Sequence, residues 1–214
     1  MCKKKCRWEI LLYCMRQIIY DRVASIADNT KNYISTKDLL REGITNRQIA
    51  NLQGEGYLEK IVNGFFWYTG NGQEKPKNYK AIEVGKVNPN AVICAETACY
   101  LQGLIDIEPN VFTIATRRSD RQGMNMPFET RRHYFADSHF DDYIITVETE
   151  YGNYQMYDVE RSVCDCIRFR EQIQPLIYEK IILNHKKMQE EAMLKRMLAY
   201  AKAMKFEKKM REDI

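Results

Sequence analysis

The pattern of apolar and polar positions predicts a long helix at the start of the chain, followed by several short elements. Apolar residues recur every three or four positions across residues 6–28, which is the period of an amphipathic helix, and the pattern ends at Asp28-Asn29-Thr30. Its apolar positions are Trp8, Leu11, Leu12, Met15, Ile18, Ile19, Val23 and Ile26. Residues 35–68 then contain two short helical patterns and, around Asn63-Gly64, two segments that read as strands.

Capping residues mark the ends of the two short helices. Ser35 and Thr45 each precede a helical pattern and have Asp38 and Gln48 three residues later, which is the spacing of a capping box. Gly43 suits the left-handed conformation that ends a helix. The residues predicted to face inward are Leu39, Leu40, Ile44, Ile49 and Leu52. Asn63-Gly64 predicts a hairpin turn in which both residues take positive φ. This order of elements is typical of a winged helix-turn-helix domain.

The outward side of the second short helix predicts a surface that reads DNA. Asn, Gln and Arg side chains carry donors and acceptors that match base edges in the major groove, and this side has no Asp or Glu to repel phosphate. Lysines before the helix and residues of the hairpin are placed to contact the DNA backbone or the minor groove. The predicted DNA-contacting residues are Lys37, Thr45, Asn46, Arg47, Gln48, Asn51, Gln53, Lys60 and Asn63. Docking of a protein on the same domain is the alternative.

The rest of the chain predicts a second domain in which helices and strands are mixed. Residues 70–78 are polar and contain Gly and Pro, so they are interpreted as a linker between domains at 1–74 and 79–214. The predicted elements are a helix at 91–102 that starts from Pro89-Asn90, strands at 111–116, 133–135, 143–149 and 154–157, a helix from Asp158 through Arg170, and a helical tail from Ile177. The fold class is therefore α+β, a winged helix-turn-helix followed by a mixed α/β domain with a basic helical tail. The Met-rich stripe of this tail fits either a packing face or a partner-facing surface.

Charge is unevenly distributed along the chain. Residues 1–80 hold 14 Lys/Arg and 8 Asp/Glu, a net charge of +6. Residues 81–185 hold 10 Lys/Arg and 16 Asp/Glu, a net charge of −6. Residues 186–214 hold 9 Lys/Arg and 5 Asp/Glu, a net charge of +4. A basic start beside an acidic middle indicates a polyanion site in the first domain.

The sequence gives no indication of export or of a membrane partner. Lys3-Lys4-Lys5 is followed by a segment that Arg7 and Glu9 interrupt, unlike the apolar core of a secretory signal, and no run of 18 apolar residues occurs. The seven cysteines include no CxxC pair, so they are interpreted as reduced thiols, most of them in the core. We therefore expect a cytoplasmic protein.

The sequence contains no motif that points to catalysis, a cofactor or a metal. Phosphate-binding glycine loops, HExxH and GxSxG are all absent, so we expect neither an enzyme nor a cofactor. The only histidine–acid grouping is His133 and His139 with Asp137, Asp141 and Asp142, and its spacing does not repeat. A metal-dependent nuclease that uses such acidic clusters is the enzymatic alternative. A second charged cluster has a structural explanation: Asp158 caps a helix, Glu160 favours the helix dipole, and Arg161 pairs with Asp165 four residues later.

Three segments resemble a known family in the family's order. ISTKDLLREGITNRQIANLQGEGYLEKIVNGFFWY is similar to the winged helix of the AbiEi antitoxins of abortive-infection systems. AVICAETACYLQGLIDIEPNVFTIAT is similar to that family's second motif, and YQMYDVERSVCDCIRF to its third, although Ser162-Val163-Cys164 departs from it. Together the segments cover roughly residues 30–170.

The resemblance implies a bacterial transcriptional autorepressor that is also the antitoxin of a type IV toxin–antitoxin system. The first domain would bind double-stranded operator DNA with inverted repeats. The second would counteract a nucleotidyltransferase-like toxin, without the need for a stable complex. The candidate residues for this second role are Arg117, Arg118, Arg121, Asp158, Glu160, Arg161 and Asp165. All of them except Asp158 and Glu160 are interpreted as surface positions. A winged-helix docking adaptor with neither DNA-binding nor enzymatic activity remains the alternative function.

Overall fold

The computed structural model describes residues 2–188 and 190–213, with side chains described from residue 16 onward. The chain divides into two compact units, Met1–Lys77 and Asn78–Ile214. The division falls within the polar segment 70–78 that was expected to link two domains. Helices and sheets are both present in each unit, so the α+β fold class is confirmed. Across the part of the chain that the structure describes, no helix combines the length and apolar character needed to cross a membrane.

The N-terminal unit consists of one long helix, two short helices and a three-stranded antiparallel sheet. Its elements are α1 (Cys2–Thr30), β1 (Tyr33–Ser35), α2 (Thr36–Arg41), α3 (Asn46–Gly54), β2 (Leu58–Val62) and β3 (Phe65–Tyr68). The sheet order is β1-β3-β2. All three helices and both hairpin strands lie where the sequence predicts them. Strand β1 was not predicted, because three residues are too few to show an alternating pattern.

Both short helices end in the same motif, which fixes the angle at which the chain leaves each helix. After α2, Gly43 has φ +76, its N–H donates to the Leu40 carbonyl, and the Ile44 N–H donates to the Leu39 carbonyl at 2.9 Å. This pair of bonds is the Schellman motif. After α3, Gly56 has φ +79, its N–H donates to the Gln53 carbonyl, and the Tyr57 N–H donates to the Leu52 carbonyl. The predicted role of Gly43 is therefore confirmed.

The β2–β3 hairpin closes at Asn63-Gly64 with a geometry that differs from the prediction. Of these two turn residues only Gly64 lies in the left-handed region, with φ +80. The register shifts by one residue between Lys60 and Val62, so the ladder contains a bulge. Because the bulge supplies the extra twist that two positive φ values would otherwise give, Asn63 keeps ordinary backbone angles.

The core of the N-terminal unit packs α1 and both short helices against the sheet. Its fully buried residues include Val23, Ile34, Leu39, Ile44, Leu52 and Leu58. Two residues predicted to face inward do not: Ile18 is 51% exposed and Leu40 is 47% exposed. Leu40 follows Leu39 by one position, so the turn of the short helix α2 carries it away from the core. The predicted positions Trp8, Leu11, Leu12 and Met15 lie outside the described side chains.

The C-terminal unit is a mixed sheet with helices on both faces. Its elements are α4 (Tyr79–Val87), β4 (Val92–Ile93), α5 (Ala95–Leu101), β5 (Phe112–Arg117), β6 (Thr130–Phe135), β7 (Ile144–Val147), β8 (Tyr154–Tyr157), α6 (Val159–Arg168), α7 (Pro175–Met188), α8 (Glu191–Ala203) and α9 (Glu207–Asp213), with a 3-10 turn at Arg170–Gln172. The strand order is β6-β5-β4-β8-β7. β4 pairs parallel to β8 and β5 pairs parallel to β6, whereas the β4–β5 and β7–β8 pairs are antiparallel.

The predicted helix at 91–102 is wrong over its first third. Val92 and Ile93 form the central strand β4, and the helix α5 begins only at Ala95. Ala95 has φ +50, so the chain turns sharply from strand to helix at this residue. Helix α4 was not predicted either. The other strands and the helix α6 lie where they were expected, within a few residues.

The Met-rich tail contributes mainly to the core. Ile181, Met197, Ala201 and Met210 are at most 1% exposed and pack in one cluster with α5, α6 and the inner face of the sheet. Met188, by contrast, is 56% exposed. The packing interpretation of the apolar stripe is therefore confirmed for most of its length.

Candidate nucleic-acid interface

The start of helix α3 is held by a capping box. The Gln48 N–H donates to Thr45 Oγ1 at 3.4 Å, and Gln48 Oε1 accepts from the Thr45 N–H at 2.8 Å. Thr45 Oγ1 also donates to Gln48 Oε1 at 2.9 Å. Both side chains were predicted to contact DNA, and the structure uses them to fix the beginning of the helix. The prediction that α3 contacts bases then depends on Asn46, Arg47 and Asn51.

The outward side of α3 carries polar side chains that no other part of the unit covers. Asn46, Arg47, Ala50 and Asn51 are exposed, whereas Ile49 and Leu52 on the opposite side are at most 5% exposed. Arg47 and Asn51 are four residues apart, so they lie one above the other near the middle of the outward face. Gln53 is half-buried at the edge of this face.

A shallow groove runs between α1 and α3 beside this face. Its lining residues include Arg16, Tyr20, Gln48, Asn51 and Glu55. Tyr20 stacks on Tyr57 with 4.6 Å between ring centroids, and its hydroxyl donates to Glu55 Oε2 at 2.7 Å. That hydrogen bond raises the pKa of Tyr20 and holds Glu55 at the end of α3. Asn51 therefore lies between a fixed acid on one side and Arg47 on the other.

The remaining predicted DNA contacts are also at the surface. Lys37 is exposed in the first turn of α2, Lys60 is exposed on β2, and Asn63 is exposed at the hairpin tip. The neighbouring Glu59 is paired with Lys75 at 2.8 Å, so the hairpin acid nearest Lys60 is already neutralised.

The positive charge of the N-terminal segment is not evenly spread. Residues 16–77 hold nine Lys/Arg and seven Asp/Glu, a net charge of +2, and residues 1–15 alone add +3. The polar side of α3, which carries no Asp or Glu before Glu55 at its C-terminal end, is therefore a stronger indication of a DNA surface than the overall charge of the unit.

Two of the predicted surface residues in the C-terminal unit are in fact buried. Arg161 is 2% exposed and Asp165 is 0% exposed, so their assignment to a partner-facing surface is wrong. Their predicted pairing is confirmed, because Arg161 Nε donates to Asp165 Oδ2 at 3.3 Å. The guanidinium lies between the rings of Tyr157 and Tyr200, 4.1 Å from each centroid. Helical spacing showed the pair, but it could not show the two tyrosines that cover it.

Nearby charged residues also have structural partners. Asp158 accepts from the Arg161 N–H at 2.8 Å, which confirms its predicted capping of α6. Glu160 is ion-paired with Arg196, a residue of the tail that the sequence did not single out. Arg117 pairs with Asp137 and Asp141 and stacks on the Phe140 ring. Arg118 and Arg121 are exposed and stand apart from these networks.

The histidine–acid grouping considered as a metal site is dispersed in the structure. Asp137 and Asp141 are bound to Arg117, and His139 Nδ1 lies 2.8 Å from Asp142 Oδ2. His133 points elsewhere and stacks on Phe169 with 3.9 Å between ring centroids. Among the side chains described, those of residues 16–188 and 190–213, no three from His, Cys, Asp or Glu are grouped to hold a metal ion.

Protonation of His133 is expected to destabilise the C-terminal unit as the pH falls from 6.5 to 4. Burial, and then the charges of Arg131 and Arg168, lower the pKa of His133 from 6.5 to about 4. The unfolded chain binds this proton first, so stability is full above pH 6.5 and declines below it, by roughly 1–2 kcal/mol once partial exposure is allowed for. The check is urea unfolding of His133→Phe, which keeps the ring stack, at pH 7 and pH 4.5. We expect a smaller pH effect than in the wild type, with the remainder coming in part from His185; an unchanged pH effect would contradict the prediction.

Comparison of the sequence with family models and with curated proteins finds no match. Among solved structures, the chain is similar to the crystal structure of the RV2827C protein from Mycobacterium tuberculosis. The TM-score is 0.61 at 12% sequence identity, and the alignment covers 85% of this chain and 71% of that chain. At this identity the likeness shows a shared fold alone.

Proposed function

We propose that the chain is a bacterial DNA-binding transcriptional repressor whose N-terminal unit acts as a winged helix-turn-helix domain. In this proposal α3 enters the major groove, α2 contacts phosphate and the β2–β3 hairpin is the wing. The observation that carries it is the outward face of α3, where Asn46, Arg47 and Asn51 are exposed around the small Ala50. Two Schellman motifs and a capping box fix the position of that helix, as a base-reading element requires.

The second half of the proposal is that the protein is an AbiEi-like antitoxin that represses its own operon. Its support is the ordered resemblance of three segments to that family, and the operator would carry inverted repeats. The test is co-expression with a nucleotidyltransferase-like reading frame encoded next to this gene. Growth rescue by the intact chain is the expected result, and growth arrest despite its expression would contradict the proposal.

Replacement of Arg47 or Asn51 by alanine is expected to weaken binding to the operator about tenfold or more. Each bidentate contact to a base edge contributes about 1–3 kcal/mol of discrimination, and neither side chain supports the core, so the variants should fold normally. The measurement is a mobility-shift titration with DNA from upstream of the gene, together with an unrelated duplex of the same length. We expect the loss to be larger on the upstream DNA than on the unrelated duplex.

Lys77→Ala provides a matched control, since Lys77 is exposed at the end of the same unit and lies outside α3 and the hairpin. The affinity of the Lys77→Ala variant for the upstream DNA should remain within about twofold of wild type. The affinity of the wild-type chain should fall steeply as the salt concentration rises. Retention of full affinity by both Arg47→Ala and Asn51→Ala would exclude α3 as the reader.

A docking adaptor is favoured by one observation, the exposure of large apolar side chains on the same unit. Leu40 on α2 is 47% exposed and Ile18 on α1 is 51% exposed. Under this alternative, Leu40→Ser would abolish a stoichiometric complex while Arg47→Ala would not, and the chain would lack affinity for any duplex at low salt. Under the repressor proposal, Leu40→Ser leaves DNA affinity unchanged.

A further inference from the structure

A pocket of about 620 Å³ lies over strands β5 and β6 of the C-terminal unit. Its floor includes Ile114, Thr130 and Tyr134, and one wall is the irregular segment 118–125 that follows β5. Ala115 and Phe135, the neighbours of two floor residues, belong to the core beneath the helices. Since alternate residues of a strand face opposite ways, the pocket is on the sheet face away from that helical layer. Its size is in the range of small-molecule sites.

The wall segment is held in place by a network centred on Arg132. Arg132 donates to Thr116 Oγ1 at 2.7 Å and to the Gln122 carbonyl at 2.6 Å, and its guanidinium lies 3.1 Å from Asp120 Oδ2. Asp120 also accepts from Asn88 Nδ2 at 2.6 Å and from the Gln122 N–H at 2.8 Å. This crossover between two parallel strands contains no helix, yet the side chains of Asn88 and Arg132 hold it in place. The pocket is therefore a preformed feature of the fold.

Two guanidinium groups on this wall have no partner of their own. Arg118 and Arg121 line the pocket, both are exposed, and neither forms a side-chain hydrogen bond or ion pair with any described residue. Arg132 and Asp120 offset each other, so the lining keeps a net charge of +2. Residues 78–214 together hold 20 Lys/Arg and 21 Asp/Glu, a net charge of −1. The pocket is thus a local concentration of positive charge on a unit that is otherwise close to neutral.

The other lining groups suit a planar ring more than a simple ion. Tyr134 is 55% exposed, and Arg132 lies over its ring at 5.0 Å from the centroid, which leaves the rest of the ring surface open. The side-chain amide of Asn125 adds a donor and an acceptor at the rim, whereas that of Gln122 donates to the Val87 carbonyl and helps to hold the wall. Arginine forks match phosphate oxygens, and an exposed tyrosine offers a stacking surface to a base.

We propose that this pocket binds a free nucleoside phosphate. Arg118 and Arg121 hold the phosphate, Tyr134 stacks against the base, and the side-chain amide of Asn125 contacts its edge. The proposal does not depend on DNA binding by α3, because every residue involved belongs to the C-terminal unit.

The test is calorimetric titration of the intact chain with each of the four ribonucleoside 5′-monophosphates, the matching nucleosides and inorganic phosphate. We expect saturable binding of at least one monophosphate, and weaker binding of its nucleoside and of phosphate. Arg118→Gln with Arg121→Gln should weaken binding about tenfold or more, because two charge-assisted contacts are lost. Tyr134→Leu should weaken the nucleotide but leave inorganic phosphate unchanged.

Arg211→Gln is the matched control, since Arg211 is an exposed arginine of α9 whose own partner is Glu207 at 2.7 Å. It removes one exposed positive charge from the same unit, outside the pocket, and should bind the nucleotide as wild type does. Circular dichroism of every variant separates lost binding from lost folding. The proposal is overturned if no monophosphate binds, if the double arginine variant binds equally well, or if only a single-stranded oligonucleotide binds, which would assign the pocket to a nucleic-acid strand.

Discussion

Replacement of Arg161 by methionine is expected to lower the free energy of unfolding of the C-terminal unit by about 3–5 kcal/mol. Removal of the guanidinium leaves Asp165, 0% exposed, without its ion-pair partner. It also removes the hydrogen bond to the His139 carbonyl at 2.9 Å and the stacking between Tyr157 and Tyr200. Burial already raises the pKa of Asp165, and Arg161 opposes that rise, so the variant must either bury a lone charge or bind a proton.

The measurement is urea unfolding followed by two signals. Both tryptophans, Trp8 and Trp67, belong to the N-terminal unit, so tryptophan fluorescence reports that unit, while far-ultraviolet circular dichroism reports both. The fluorescence transition should not move, and the remaining dichroism transition should shift to lower urea. The control is the double variant Arg161→Met with Asp165→Asn, which removes both charges and should recover part of the loss. The prediction is contradicted if Arg161→Met lowers the free energy of unfolding by less than about 1 kcal/mol. It is also contradicted if the double variant loses as much as Arg161→Met and Asp165→Asn do together when each is measured alone.

This expectation affects how activity data are interpreted. Arg161 and Asp165 cannot contact a partner while the unit is folded, because neither is accessible. If the chain is an antitoxin as proposed, loss of antitoxicity in an Arg161 variant would therefore report loss of folded protein. Arg118 and Arg121, which are exposed, are the informative positions for contacts with other molecules.

Replacement of Gly85 by alanine is expected to destabilise the C-terminal unit by about 2–3 kcal/mol, although alanine favours helices. A Cβ at this position of α4 would lie 2.4 Å from the Asn153 carbonyl oxygen and 3.0 Å from the Tyr154 Cα, so backbone would have to move. Overpacking of this kind costs about 1–3 kcal/mol and occasionally more, and the gain in helix propensity is at most about 1 kcal/mol.

Gly123→Ala is the matched control for Gly85→Ala. No atom lies within 4 Å of a Cβ built at Gly123, and its φ is outside the left-handed region. Its stability should change by no more than about 0.5 kcal/mol, or rise slightly through the unfolded state. The same dichroism transition measures both variants. A Gly85→Ala chain as stable as wild type would show that α4 can move off β8 without cost.

The features that the sequence predicts well are those that neighbouring residues determine. The capping boxes at Ser35 and Thr45, the glycine end of α2 and the Asp158 cap of α6 all depend on groups within a few positions, and all are present. Strand β4 is different, because two residues carry no period and its pairing depends on β5 and β8, which come later in the chain. The same reason explains why Val92 was assigned to a helix.

The environment of charged residues was also hard to predict, because it depends on residues far away in the sequence. Arg161 was expected at the surface, where charged side chains mostly lie, and it is buried because Tyr157 and Tyr200 enclose its guanidinium. Arg132 and Tyr134 were not singled out, since the pocket forms only when a crossover segment folds back over β5 and β6. The one available signal was the uninterrupted run of polar residues at 130–134, which is unusual for a strand with one face in the core. The exposed face of α3, by contrast, follows directly from helical spacing.

The pairing of distant strands also bears on the order in which the chain can fold during synthesis. The sheet of the N-terminal unit is complete once β3 ends at Tyr68. In the C-terminal unit the central strand β4 must wait for β8, and the same core needs Met210 near the end of α9. The first unit can therefore fold on the ribosome while the core of the second is still incomplete, and contacts between residues so far apart in sequence make the second the slower to form.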